Sequence, residues 1–130
     1  MSIVITSRIV SGVVIVDVVG RLSFLDVTLR KRMNELFEEG HRAFVLNLAN
    51  VPYVDSFGLG QLITIWTSIR SNGGQLIFLR PTDHVQALFQ ITKLNIVFNI
   101  SADEAHAVRS VRTNAVEPVL HAISARSNLP

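Results

Sequence analysis

The chain has 130 residues, 48% hydrophobic and only 17% charged, with twelve Lys and Arg against ten Asp and Glu for a formal net charge of +2. That length supports one domain with its own core, and that composition excludes a disordered segment as the main body. There is no cysteine, and His41, His84, His106 and His121 lie far apart in the chain, so disulfides, thiolate chemistry and zinc-type ligand spacing are excluded. Neither a metal nor a cofactor is expected.

Ile3 to Val10 and Val13 to Val19 are rich in β-branched residues and are separated by Ser11-Gly12. Two such runs joined by two turn-forming residues predict a β-hairpin. The apolar stretch Val13 to Val19 is broken by Asp17 and is too short to span a bilayer. With no basic-then-apolar leader pattern at the start, a cytoplasmic location without membrane insertion is the expectation.

Phe24 to Glu39 reads as a helix, with Leu25, Leu29 and Leu36 on one stripe, Met33 at its edge and Gly40 as the stop. Its basic run Arg30-Lys31-Arg32 is followed by Glu35, Glu38 and Glu39. A solvated helix face accounts for that run better than a nucleic-acid patch, so no direct nucleic-acid binding is expected.

Ala43 to Leu48 is short and almost wholly apolar, the pattern of a strand covered on both faces. A loop over Ala49 to Asp55, containing Pro52, leads into a helix over Ser56 to Ser71, ended by Asn72-Gly73-Gly74. Gln75 to Leu79 reads as another buried strand, Thr82 to Ile91 as a short helix, and Ile96 to Phe98 as a short strand. Ser101 to Arg112 reads as a last helix, with Ser101 and Glu104 spaced as a capping box. The alternation predicts an α/β fold: a mixed, mostly parallel sheet of about five strands, about four helices and an N-terminal hairpin. Residues 1–112 form the expected domain. Residues 113–130 form a C-terminal extension, either a short helix (Val116, Val119, Leu120 and Ile123 have helical spacing) or disordered, and a homodimer through it is left open.

The strand–loop–helix around Asp55-Ser56 carries the chemistry, because sites in open α/β sheets form at the carboxyl ends of strands. Either residue is a good N-cap, and the plain alternative is that the pair is a cap and nothing more. At 100° per residue, Leu59, Leu62, Ile63, Trp66 and Ile69 form a stripe expected to pack on the sheet. Phe57 falls on the opposite side with Gln61, Thr64 and Ser68, as a candidate partner anchor or as casual packing against another loop. Gly58 and Gly60 weaken the first turn by roughly 1 kcal/mol each relative to Ala, which predicts close approach by another backbone, internal or from a partner.

Asp55-Ser56-Phe57-Gly58-Leu59-Gly60, preceded by Leu46-Asn-Leu-Ala-Asn-Val51, resembles the signature of the STAS domain family. More narrowly, it is similar to bacterial anti-sigma factor antagonists (anti-anti-sigma factors). The similarity extends over roughly residues 3 to 112 and includes Gly20-Arg-Leu22 and Gly73-Gly74. The resemblance implies a partner switch. The unphosphorylated protein binds an anti-sigma factor that is also a serine kinase and so frees a sigma factor. Phosphorylation of Ser56 ends that binding, and a PP2C-type phosphatase restores it. By the same resemblance Asp55, Phe57, Gly58, Leu59, Gly60 and Ser23 form the partner-binding surface.

Three positions depart from the family pattern. Phe57 stands where a second serine is usual, and Asn47 and Ser23 stand where aspartates are common. Catalysis by the chain itself is not expected: there is no G-x-S-x-G elbow around Ser56 and no complete phosphate-cradling glycine motif. The competing function is a STAS accessory or scaffold subunit of a transporter or stress-signalling complex, in which the same surface docks a partner.

Overall fold

The computed structural model describes residues 3–23 and 27–112. Strands β1 (Val4–Val10) and β2 (Val13–Val19) form the antiparallel hairpin, with Val10 opposite Val13. Ser11 and Gly12 both take positive φ, 53° and 82°. That backbone suits a two-residue turn matching the right-handed twist of the strands. Strands β3 (Ala43–Asn50), β4 (Gln75–Leu79) and β5 (Asn99–Ser101) then add in parallel, giving the spatial order β1-β2-β3-β4-β5.

Helix α1 (Thr28–Glu38) connects β2 to β3, and α2 (Ser56–Ser71) connects β3 to β4. Two helices, α3 (Asp83–Ile91) and α4 (Leu94–Val97), connect β4 to β5. Each crossover steps one strand in the same direction, so right-handed connections place all of these helices on one face. Val14, Val16, Phe44, Leu46, Leu76 and Phe78 point into the core on that face, together with Leu29, Leu62 and Phe89. The intervening Val13, Ile15, Val45, Ile77 and Leu79 point to the other face, where Ala107, Val108 and Val111 cover them. Those three belong to a fifth helix, α5, over 104–112 among the described residues.

Three local expectations change. Ile96 and Val97 lie in α4, and the strand begins at Asn99. Lys93 opens this extra turn in the left-handed conformation, φ 65°, and Phe98 then packs among Phe78, Phe89 and Trp66. Ser101 belongs to β5. The cap of α5 is Asp103, whose Oδ2 accepts the His106 N–H at 2.8 Å. Helix α1 starts at Thr28 and buries Leu29, Met33 and Leu36, while the expected stripe residue Leu25 and the extension 113–130 lie outside the described residues.

A polar network ties the hairpin to α5. The Arg8 guanidinium donates to Asp17 at 2.8 Å and to Glu104 at 2.6 Å. It holds both carboxyls below their usual range, and it is itself raised by hydrogen bonding to Glu104 and then Asp17. Asn47 Nδ2 donates to Asp17 Oδ1 at 2.7 Å, and its own Oδ1 accepts from the Ala49 N–H at 3.1 Å. An aspartate at position 47 would face the Asp17 carboxylate without a proton to offer, so this departure from the family pattern fits its surroundings.

Candidate functional site

Beyond the sheet proper, the chain after β2 runs beside the chain after β3. Gly20 N–H donates to Asn50 O, Leu22 N–H to Tyr53 O, and Asp55 N–H to Leu22 O, at 3.0, 3.0 and 3.2 Å. Leu22 and Val54 form an isolated parallel bridge, and both side chains are buried with Val51. This short extension seats the start of α2 against the Gly20–Ser23 turn. Ser23 and Asp55-Ser56, far apart in sequence, therefore share one end of the molecule.

Asp55 is the N-cap. Its backbone is extended, and Oδ1 accepts the Gly58 N–H at 2.7 Å. The choice left open by the sequence is thus resolved: the aspartate satisfies an orphan helix donor, and Ser56, the first residue of the helix, is exposed. Its hydroxyl is not spent on the cap. A phosphoryl group added there would sit at the positive end of a four-turn helix.

The two glycines have different environments. A Cβ on Gly58 would lie 2.3 Å from the Leu22 carbonyl oxygen and 2.8 Å from its carbon. Gly58 therefore permits the close backbone approach that docks the Gly20–Ser23 turn. A Cβ on Gly60 would meet nothing within 4 Å. Gly58 and Leu59 are buried, so these two expected partner-binding residues face the interior and shape the surface from beneath. Asp55 is half-buried, whereas Ser56, Phe57 and Gly60 are exposed, Phe57 to 61%.

Helix α2 is rotated relative to the expected stripe. Ile63 is exposed, while Ile65 and Gln61 are buried with Leu59, Leu62 and Ile69. At 100° per residue this is a turn of roughly 60° toward α1, whose Met33 and Phe37 meet Ile65 and Ile69. Sequence reasoning missed Gln61 as a result. Its Nε2 donates to the Ser23 carbonyl at 2.7 Å, so Ser23 is joined to α2 through its backbone. On the other flank, Tyr53 stacks on His84 at 5.0 Å and lies under the Arg21 guanidinium at 5.0 Å. Thr82 Oγ1 donates to Val51 O at 2.9 Å, tying the start of α3 to the same loop.

Among the described residues no cluster of His, Cys, Asp and Glu could hold a metal ion, and no helix is long and apolar enough to cross a membrane. The family model described as the STAS domain matches residues 4–107. The chain belongs to the STAS domain family. A Thermotoga maritima protein provisionally named an anti-sigma factor antagonist is 30% identical over 107 residues, covering 81% of this chain and 95% of its own length. The anti-sigma-B factor antagonist of Staphylococcus aureus is 31% identical over 73 residues, 56% of this chain and 68% of that protein.

Solved structures agree with the fold. The crystal structure of a Thermotoga maritima protein with the same provisional name superposes with a TM-score of 0.76 at 29% identity, over 83% of this chain and 94% of that one. The Bacillus cell fate determinant SpoIIAA in its phosphorylated form gives a TM-score of 0.64 at 19% identity, over 82% and 99% of the two chains, a likeness of fold alone. The single STAS-like domain with its mixed, mostly parallel five-stranded sheet is thus as expected, with one more helix than the sequence suggested.

Proposed function

We propose that this STAS domain is an anti-sigma factor antagonist that works by partner switching, with Ser56 as its phosphoacceptor. The observation that carries the reading is the division of labour at the start of α2. Asp55 satisfies the helix end and leaves an exposed hydroxyl beside it. The relatives named above supply the functional class.

In this mechanism the unphosphorylated face docks an anti-sigma factor that is also a serine kinase, and the sigma factor is released. Asp55, Phe57, Gly60 and Ser23 belong to that face, with Gly58 and Leu59 holding it from inside. The kinase, with its own ATP and magnesium, moves a phosphoryl group to the Ser56 hydroxyl. Phosphorylation adds about −1.5 to −2 charges at one point. The helix N-terminus accommodates that charge within the protein. A complementary protein surface packed against Asp55 does not, because of like-charge repulsion and desolvation. A PP2C-type phosphatase resets the switch. The chain itself acts by binding rather than by catalysis.

The test is incubation with the cognate kinase and ATP-magnesium, followed by mass spectrometry. One phosphoryl group on Ser56, and none on Ser56→Ala, is the expected result. A label on any other residue, or none, contradicts the switch and leaves the transporter-accessory or scaffold use of the same fold in its place.

A further inference from the structure

The two edges of the sheet differ. At one edge β5 is only three residues long, which leaves little for another strand to pair with. At the other, β1 is seven residues long, and among the described residues no strand lies beyond it. Its register against β2 runs unbroken from Val4–Val19 to Val10–Val13, so no bulge twists the edge away, and it contains neither proline nor lysine. Its one charge, Arg8, is turned to Asp17 and Glu104. The devices by which edge strands resist pairing are therefore missing from β1. The turn decides which backbone groups face outward. Ser11 and Gly12, both at positive φ, form a two-residue turn that makes Val10 and Val13 a hydrogen-bonded pair. Hydrogen-bonded and non-hydrogen-bonded pairs alternate, so Arg8, Thr6 and Val4 bond to β2. Ile5, Ser7 and Ile9 turn their N–H and C=O groups to the open edge.

We infer that this edge pairs with β1 of a second copy of the chain, antiparallel about a two-fold axis at Ser7. An axis there matches outward groups to outward groups: Ile5 to Ile9 of the second copy, Ser7 to its own counterpart, and Ile9 to Ile5, with about six N–H···O=C bonds in all. On the helix face Ile5 then lies beside Ile9 of the second copy. On the outer face Val4 meets Val10, and Thr6 meets Arg8. Cross-strand pairs of β-branched residues are favourable, and the two exposed aliphatic side chains of the strand, Val4 at 58% and Ile9 at 63%, are the ones covered. Moving the axis to Thr6 sets Ile5 against the polar Ser7, and moving it to Arg8 sets Ile9 there. Two such strands cover on the order of 1,000 Å² in total, the lower end for a specific interface. The expected dissociation constant is on the order of 10–100 µM. Each Arg32 donates to its own Ser7 Oγ at 3.0 Å, so two guanidinium groups face each other across the axis and oppose the pairing until salt screens them. The copies run antiparallel, so their two Ser56 ends point in opposite directions and both stay open. The inference stands apart from the phosphorylation of Ser56.

The test is sedimentation equilibrium of the full chain, with amide hydrogen exchange measured at low and at high protein concentration. The expected result is a monomer–dimer equilibrium, with protection at Ile5, Ser7 and Ile9 that rises with concentration and a smaller change at Thr6 and Arg8, which β2 already holds. Ser7→Pro removes an N–H that β2 does not use and abolishes the dimer. Ile9→Lys places an ammonium group at an exposed position opposite Ile5 and weakens the dimer by at least about tenfold; where Ser7→Pro fails to fold, Ile9→Lys decides alone. Raising salt from about 0.05 to about 0.5 M tightens the dimer severalfold. A chain that stays monomeric at about 500 µM, a dimer that Ile9→Lys leaves intact or that salt weakens, or protection that rises at other residues instead, overturns the inference.

Discussion

The inner and outer sides of the first turn of α2 obey different rules. On the inner side, Gly58 lies against the Leu22 backbone, Leu59 enters the core, and the Asp55 carboxylate closes the helix end. Each of these residue types is demanded by the fold. On the outer side, Ser56 and Gly60 meet no such demand. A serine that does not cap and a glycine with room for a Cβ are both choices that stability does not explain. Under the proposed function, one hexapeptide holds both the support of the site and the site itself.

The contrast is broken most forcefully at Gly58. Gly58→Ala places a methyl group in the Leu22 carbonyl, and either the Gly20–Ser23 turn or the start of α2 must move. A loss of about 2–3 kcal/mol in urea unfolding is expected; an unchanged midpoint would show that the close approach is not required. Asp55→Ala removes the cap and is expected to cost about 1 kcal/mol, measured in the same way. Gly60→Ala has the opposite sign. With helical backbone and free space, it should stabilise the protein by roughly 0.5–1 kcal/mol. A destabilising result would place Gly60 with Gly58 and dissolve the distinction between the two sides.

A smaller effect is expected far from the site, in the Arg8 network. Asp17 and Glu104 have carboxyls lowered from ordinary values of 3.8 and 4.5, chiefly by hydrogen bonds from Arg8. Carboxyls lowered on folding contribute stability that is present above their unfolded values and lost as pH falls through the folded ones. The contribution should therefore be full above about pH 5 and decline below about pH 4. The Arg8 side chain is 42% exposed and that of Glu104 is 34% exposed, so solvent screening limits the effect. Glu104→Gln is expected to cost less than about 1 kcal/mol at neutral pH and to flatten the acid limb of the stability curve. An equally steep limb in that variant would assign the acid sensitivity elsewhere.

The sequence made the hairpin legible through Ser11-Gly12, and it made α2 legible through its two ends, Asp55-Ser56 and Asn72-Gly73-Gly74. Turn and cap chemistry is local, so these signals survive without knowledge of the tertiary fold. The rotation of α2 was not legible. A periodic stripe records how apolar a helix face is, but it does not record that α1 lies alongside and draws Gln61 and Ile65 inward. The run Ile96 to Phe98 failed for another reason: three apolar residues, two of them β-branched, suit a strand and a helical turn equally. The requirement that Phe98 join Phe78 and Phe89 decided between them. Ser101 and Asp103 were competing caps, and the strand claimed the serine.

The central claim is that the outer side of this turn accepts a phosphoryl group at little cost to the fold and at great cost to binding. Calorimetric titration of the cognate anti-sigma kinase with unphosphorylated and with Ser56-phosphorylated protein tests it most directly. The account predicts that the unphosphorylated form binds and that the phosphorylated form is weaker by at least about 100-fold, or ~2.7 kcal/mol. Equal affinities for the two forms would contradict it.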